Sequence, residues 1–208
     1  MQLYRAERPA SPASVLVLAH GAGAGQRHPF MVTFARGLAE RGIDVVTFDF
    51  PYMAQKRKVP DKAPVLEAAF RDAVAEARRE VGSDRRLFIG GKSLGGRMAT
   101  HLAANGLPDL QGVVLLGYPL HPPGKPGQPR VAHLPQITVP VLIVQGARDA
   151  FGTPDEIRLA FAPLGARATL HVVESGDHSL SVPRSAPVSQ QEINNALLNL
   201  IAGWIQSV

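Results

Sequence analysis

Six short apolar runs recur along the chain, and they restrict its fold more than any other feature. They are Val15-Leu16-Val17-Leu18-Ala19, Val45-Val46-Thr47-Phe48-Asp49-Phe50, Leu87-Phe88-Ile89, Val113-Val114-Leu115-Leu116, Val141-Leu142-Ile143-Val144 and Leu170-His171-Val172-Val173. Most are continuous rather than alternating, the mark of strands covered on both faces. Segments with helical periodicity fall between them. This rhythm predicts an α/β protein with a doubly wound, mainly parallel sheet of about six or seven strands and helices on both faces. With 208 residues, no repeat and no linker, the chain reads as one domain, 1–208.

The helices carry their own punctuation. Phe30, Phe34 and Leu38 share a helical face over 29–41, with Pro29 at the first position and Gly42 as a stop. Leu66, Phe70, Val74, Ala77 and Val81 form a second stripe, ended by Gly82. Met98 and Leu102 face inward on a third helix, which Gly106 closes. Thr153 to Glu156 and Ser189 to Glu192 are capping boxes. The first opens a helix with Ile157 and Phe161. The second opens one with Ile193, Leu197, Leu200, Ile201 and Trp204 on its apolar side. Residues 1–13 leave room for one short edge strand. Residues 118–140 hold seven prolines and predict a loop over one end of the sheet, too short for a helical cap.

One serine is crowded by glycines. Gly91-Lys92-Ser93-Leu94-Gly95 fits G-x-S-x-G, a serine at the tip of a strand-to-helix turn. Such a turn drives the serine towards the left-handed region, and its neighbours two before and two after must be nearly bare. The helix that follows aims free N–H groups and its positive end at charge developing beside the serine. A phosphate-binding P-loop is excluded, because the position that needs its first glycine is Arg86. A dinucleotide fingerprint from Gly21 or Gly23 fails at Gln26 or His28.

Three loops after strands then carry a nucleophile, an acid and a base in the chain order Ser, Asp, His. Ser93 is the predicted nucleophile, His178 its base, and Asp149 the carboxylate that holds the imidazole. The backbone N–H of Leu94 is one predicted oxyanion donor, and Ala22 in the bare loop His20-Gly21-Ala22-Gly23 supplies the other. Gly21, Gly23, Lys92 and Tyr118 are predicted to contact substrate. Asp177 is a rival acid, but it abuts His178 and would struggle to reach its ring. His20 is expected to position the oxyanion loop, His171 to be structural, Lys92 to serve structure more than recognition, and Arg97 to make an ion pair. Asp149 also has the simpler use of capping a turn.

Composition closes several routes. There is no cysteine, which removes disulfides, thiolate metal sites and a cysteine nucleophile. The formal charge of +5 is spread thinly, and the one dense basic spot, Lys56-Arg57-Lys58, has no interleaved aromatics and reads as a solvated loop. No nucleic-acid partner, metal or organic cofactor is expected. No apolar run approaches membrane-spanning length, and the opening residues lack the apolar core of a secretory signal, so a cytoplasmic location is expected.

The segments Leu18 to Gly23, Phe48 to Tyr52, Gly90 to Arg97, Gly146 to Asp149 and Gly176 to Ser179 together resemble the α/β-hydrolase superfamily. They are most similar to its small capless branch, related to testis-expressed protein 30 and to the hydrolase-like domain of a chromatin-complex subunit. Lysine before the serine and arginine four after it are the specific part of the likeness. In outline the chain also resembles dienelactone hydrolases, whose nucleophile is a cysteine where Ser93 stands. The resemblance implies a trimmed sheet and a Ser-Asp-His hydrolase. With no cap over the site, an open, shallow cleft is expected, suited to a small ester or thioester cleaved through an acyl-enzyme. A second reading keeps the fold as a binding or scaffold module with little or no turnover.

Overall fold

The computed structural model describes residues 1–208. Seven strands form one sheet: β1 Gln2–Tyr4, β2 Ser14–Ala19, β3 Ile43–Phe48, β4 Arg86–Lys92, β5 Leu110–Leu116, β6 Val141–Gly146 and β7 Ala168–Val173. Their spatial order is β1-β3-β2-β4-β5-β6-β7. Every pairing is parallel except that of β1, which runs antiparallel along β3. The opening segment therefore adds one short edge strand, as its length allows.

The continuous apolar runs are explained by two cores. On one face lie Val15, Val17, Val46, Ile89, Val113, Leu115 and Ile143; on the other lie Leu16, Leu18, Val45, Phe88, Val114, Leu116 and Val144. Successive residues of a strand point to opposite faces, so a strand apolar at every position is sealed on both. Helices α3 Ala63–Val81, α4 Leu94–Ala104 and α5 Pro154–Phe161 cover the first face. Helices α1 Pro29–Ala39 and α6 Gln190–Ser207 cover the second. Both capping boxes form, at Thr153 and Ser189. The stripe Leu66, Phe70, Val74, Ala77 and Val81 is buried in full.

Four local features depart from the sequence expectation. The chain makes one helical turn, α2 Pro51–Ala54, where a loop is predicted; Phe50 leaves the strand to become its N-cap. Strand β5 begins three residues earlier, straight after a positive-φ turn at Asp109. The excursion between β5 and β6 is a loop without a cap helix, as its prolines predict, but it holds a 3-10 turn at Leu134–Gln136. The buried side of α6 is Leu197, Leu198, Ile201, Ala202 and Ile205, with Leu200 and Trp204 at its margin. The reason lies on α1. Gly37 is bare there and Leu198 rests against it; a Cβ at Gly37 would stand 3.0 Å from Leu198 Cδ2.

This packing separates two adjacent leucines. Leu198→Ala is expected to lower the unfolding free energy by about 2–5 kcal/mol. Leu200→Ala should lower it by clearly less, in parallel denaturant titrations. Equal losses would contradict the placement of α6.

Candidate active site

The parallel strands deliver their carboxyl ends to one rim, where loops of an α/β sheet carry chemistry. At the centre of that rim β4 turns into α4 through Ser93, whose φ of 49° and ψ of −112° lie at the first corner of a type II′ turn. For a residue with a side chain this is a strained conformation. Its φ is positive as predicted, but its ψ is not that of the left-handed helix. The turn survives because its flanks are bare. A Cβ on Gly91 would lie 2.6 Å from the Gly96 nitrogen, and one on Gly95 would lie 2.6 Å from the Ala19 carbonyl carbon. Both obstacles are backbone, which cannot step aside.

Two further loops meet Ser93. His178 Nε2 lies 2.8 Å from Ser93 Oγ, and its Nδ1 lies 2.8 Å from Asp149 Oδ2. Asp149 is buried. Its Oδ2 also accepts from Gln145 Nε2 at 2.8 Å, and its Oδ1 accepts from the Phe151 N–H at 2.8 Å. The carboxylate is thus held by three donors, one of them the turn it caps. The Phe151 ring stacks on the imidazole of His178 at 4.2 Å. Asp177 accepts from the Ser179 and Ser181 N–H groups and shapes the loop rather than reaching the ring.

The glycine loop after β2 passes beside the serine; a Cβ on Gly21 would lie 3.6 Å from that of Ser93. Buried His20 fixes the loop. Its Nε2 accepts from the Phe50 N–H at 3.0 Å, so Nδ1 carries the proton and donates to the Gly21 carbonyl at 2.7 Å. Burial pushes its pKa down, consistent with a neutral ring. Tyr52 closes the other side, donating to the Ala22 carbonyl at 2.9 Å. The N–H groups of Ala22 and Leu94 have no backbone acceptor. All these loops border one cleft of about 570 Å³, lined among others by Gly21, Ala22, Gly23, Lys92, Ser93 and Leu94.

A family model described as an alpha/beta hydrolase domain matches residues 12–206. The chain belongs to the α/β-hydrolase family. Among solved structures, a serine hydrolase homologue from Coxiella burnetii aligns at a TM-score of 0.74 with 16% identity, over 98% of this chain and 89% of that one. A dienelactone hydrolase from Anabaena variabilis ATCC 29413 aligns at 0.73 with 18% identity, over 96% and 88%. A monoacylglycerol lipase from Paleococcus ferrophilus aligns at 0.69 with 19% identity, over 100% and 99%. At these identities the likeness is one of fold. No helix of this α/β-hydrolase is long and apolar enough to cross a membrane.

Two of the sequence expectations are corrected. Tyr118 does not contact the cleft. It is buried, its hydroxyl donates to the Arg130 carbonyl at 2.9 Å, and its ring meets Phe161 edge-on. Gly117 before it takes a φ of 67°, which turns the chain inward at the end of β5. Arg97 makes no ion pair; the pairs in the molecule involve other arginines. Gln145, Phe151, Tyr52 and Arg130 carry no role in the sequence reading. Gln145 is detectable in hindsight as an amide inside an otherwise apolar strand. It donates to Asp149 and to the Gly152 carbonyl and accepts from the Tyr118 N–H, joining two loops.

Lys92 has a structural contact. Its ammonium donates to the His178 carbonyl at 2.5 Å and so ties the histidine loop to β4. Burial pushes its pKa down to about 8, although Asp149 and Asp177 act the other way. Between pH 8 and its ordinary 10.5 the unfolded chain therefore holds a proton here that the folded protein has released. Stability contributed by this group rises with pH across that window. The unfolding free energy of the wild type minus that of Lys92→Met should increase from pH 8 to pH 10.5. A flat or falling difference would refute the buried, depressed lysine.

Proposed function

We propose that this α/β-hydrolase cleaves the ester or thioester of a small acyl substrate through an acyl-enzyme on Ser93. The observation that carries the reading is the chain of two 2.8 Å contacts from Ser93 Oγ through His178 to buried Asp149, opening on the cleft. A serine hydroxyl is a poor nucleophile at its own pKa and needs a base in hydrogen-bond reach. His178 Nε2 takes the Ser93 proton as Oγ attacks the carbonyl carbon. The imidazolium then gives that proton to the departing alcohol or thiol. Asp149, accepting from Nδ1–H, holds the tautomer and stabilises the positive ring. The N–H groups of Ala22 and Leu94 receive the oxyanion of the tetrahedral intermediate. Water, deprotonated by His178, then attacks the acyl carbon, and Ser93 leaves with the proton restored.

The architecture favours this over a turnover-free module. A strained Ser93, a buried carboxylate behind its histidine and two N–H groups without a backbone acceptor gather at one cleft, and a scaffold has no use for that combination.

Hydrolysis of p-nitrophenyl esters of increasing acyl length tests the reading. Wild type should turn over with a preference for short chains. Asp149→Asn should reduce kcat by about 10⁴-fold, as in other such triads, and Ser93→Ala should leave only background. Absence of turnover across the series, or a Ser93→Ala rate equal to wild type, would overturn it.

A further inference from the structure

The cleft around Ser93 is lined by cationic residues and by no acid. Lys92, Arg97 and Arg130 border it, and no aspartate or glutamate does. Asp149 is sealed beneath His178. Lys92 is engaged with the His178 carbonyl. The two arginines are not neutralised. Neither joins any of the ion pairs of the molecule, and the Arg97 guanidinium makes no hydrogen bond to protein. Glu67, the acid whose charge acts on Arg97, is already bound to His101 at 2.8 Å.

The two arginines come from different elements, and the backbone of each is fixed in place. Arg97 sits one turn after the serine on α4, with its N–H bonded to the Ser93 carbonyl at 3.0 Å. Arg130 comes from the proline-rich excursion. Its N–H donates to the Leu120 carbonyl at 2.7 Å, its carbonyl accepts from Tyr118 Oη at 2.9 Å, and its Nη1 donates to the Pro119 carbonyl at 3.2 Å. Buried Tyr118 thereby acts as an anchor for Arg130. Burial and then the repulsion of Arg130 both push the Arg97 pKa down, although a guanidinium stays charged at any pH the fold meets. Two like charges held together, half-buried and unpaired, are unfavourable unless an anion joins them. Guanidinium groups match the planar oxygens of carboxylate and phosphate, and such charge-assisted pairs are strong.

We infer that Arg97 and Arg130 form an anion subsite in the Ser93 cleft, so that the ester or thioester cleaved carries a carboxylate or a phosphate near its scissile bond. This rests on the hydrolase reading for its chemistry, and on the arginine pair alone for binding. The excursion at 118–140 then has a purpose: it carries the second arginine over the cleft.

Two measurements test it. The first compares kcat/KM for p-nitrophenyl hemiglutarate and hemisuccinate with that for length-matched neutral esters, and for 4-acetoxybenzoate with that for phenyl acetate, in wild type, Arg97→Gln, Arg130→Gln and Arg97→Lys. Taking the ratio within each protein cancels general damage, and placing the carboxylate on either side of the ester locates the subsite. The charged-to-neutral ratio should fall about tenfold or more in each Gln variant, and less in Arg97→Lys. The second is calorimetric titration of Ser93→Ala, with and without each arginine, using glutarate and inorganic phosphate. Binding of either anion that weakens about tenfold or more on loss of either arginine supports the subsite, and the stronger of the two names its source. Neutral esters cleaved with a ratio that no arginine variant changes, and no anion binding, would overturn the subsite and leave the hydrolase intact. No ester cleaved, with arginine-dependent anion binding still present, would uphold the subsite and remove the hydrolase. Where Arg97→Gln does not fold, Arg130→Gln and Arg97→Lys carry the comparison.

Discussion

A turn that admits no side chain on either flank holds the centre of this molecule. Ser93 takes a φ of 49° between β4 and α4, and the space its neighbours would fill is occupied by the backbone of Ala19, His20 and Gly96. The turn is thus clamped between β2 and its own helix. Because β4 is the middle strand, paired with β2 on one side and β5 on the other, the serine is carried by the centre of the sheet. Strain at a single residue persists only where surrounding structure over-determines it.

Everything else at the rim is arranged around that fixed hydroxyl by loops tied to one another. His20 and Tyr52 hold the carbonyls of the glycine loop, which leaves its N–H groups turned to other uses. Gln145 ties the loop after β5 to the loop after β6 and presents Asp149. Lys92 reaches from β4 to the loop after β7 and steadies His178. Three loops that are distant in the chain are therefore coupled through buried and part-buried hydrogen bonds. Such bonds are costly to leave unmade, so the loops hold one another in register.

The fold was largely legible because a doubly wound sheet writes itself locally: continuous apolar strands, helical stripes and capping boxes each depend on neighbouring residues. The meeting of Ser93, Asp149 and His178 was legible for a similar reason. Chain order and position after strands put all three at one rim before any coordinate is known. What was not legible depended on tertiary direction. Tyr118 and Arg97 both follow strand ends near the cleft, and nothing local says which turns inward. Gly117 sends Tyr118 into the core, whereas Arg97 joins no ion pair and faces the cleft. The α6 stripe was misjudged by one neighbour because the bare patch at Gly37 that admits Leu198 lies on another helix. Gln145 was overlooked because its partners sit on loops remote in sequence.

The account stands on Ser93 being the one hydroxyl activated by its surroundings. Reaction of the native protein with a fluorophosphonate, followed by intact mass and peptide mapping, tests this most directly. The account predicts a single adduct, on the peptide containing Ser93, and its loss when His178 is changed to Gln. No adduct, or one on a different serine, would contradict it.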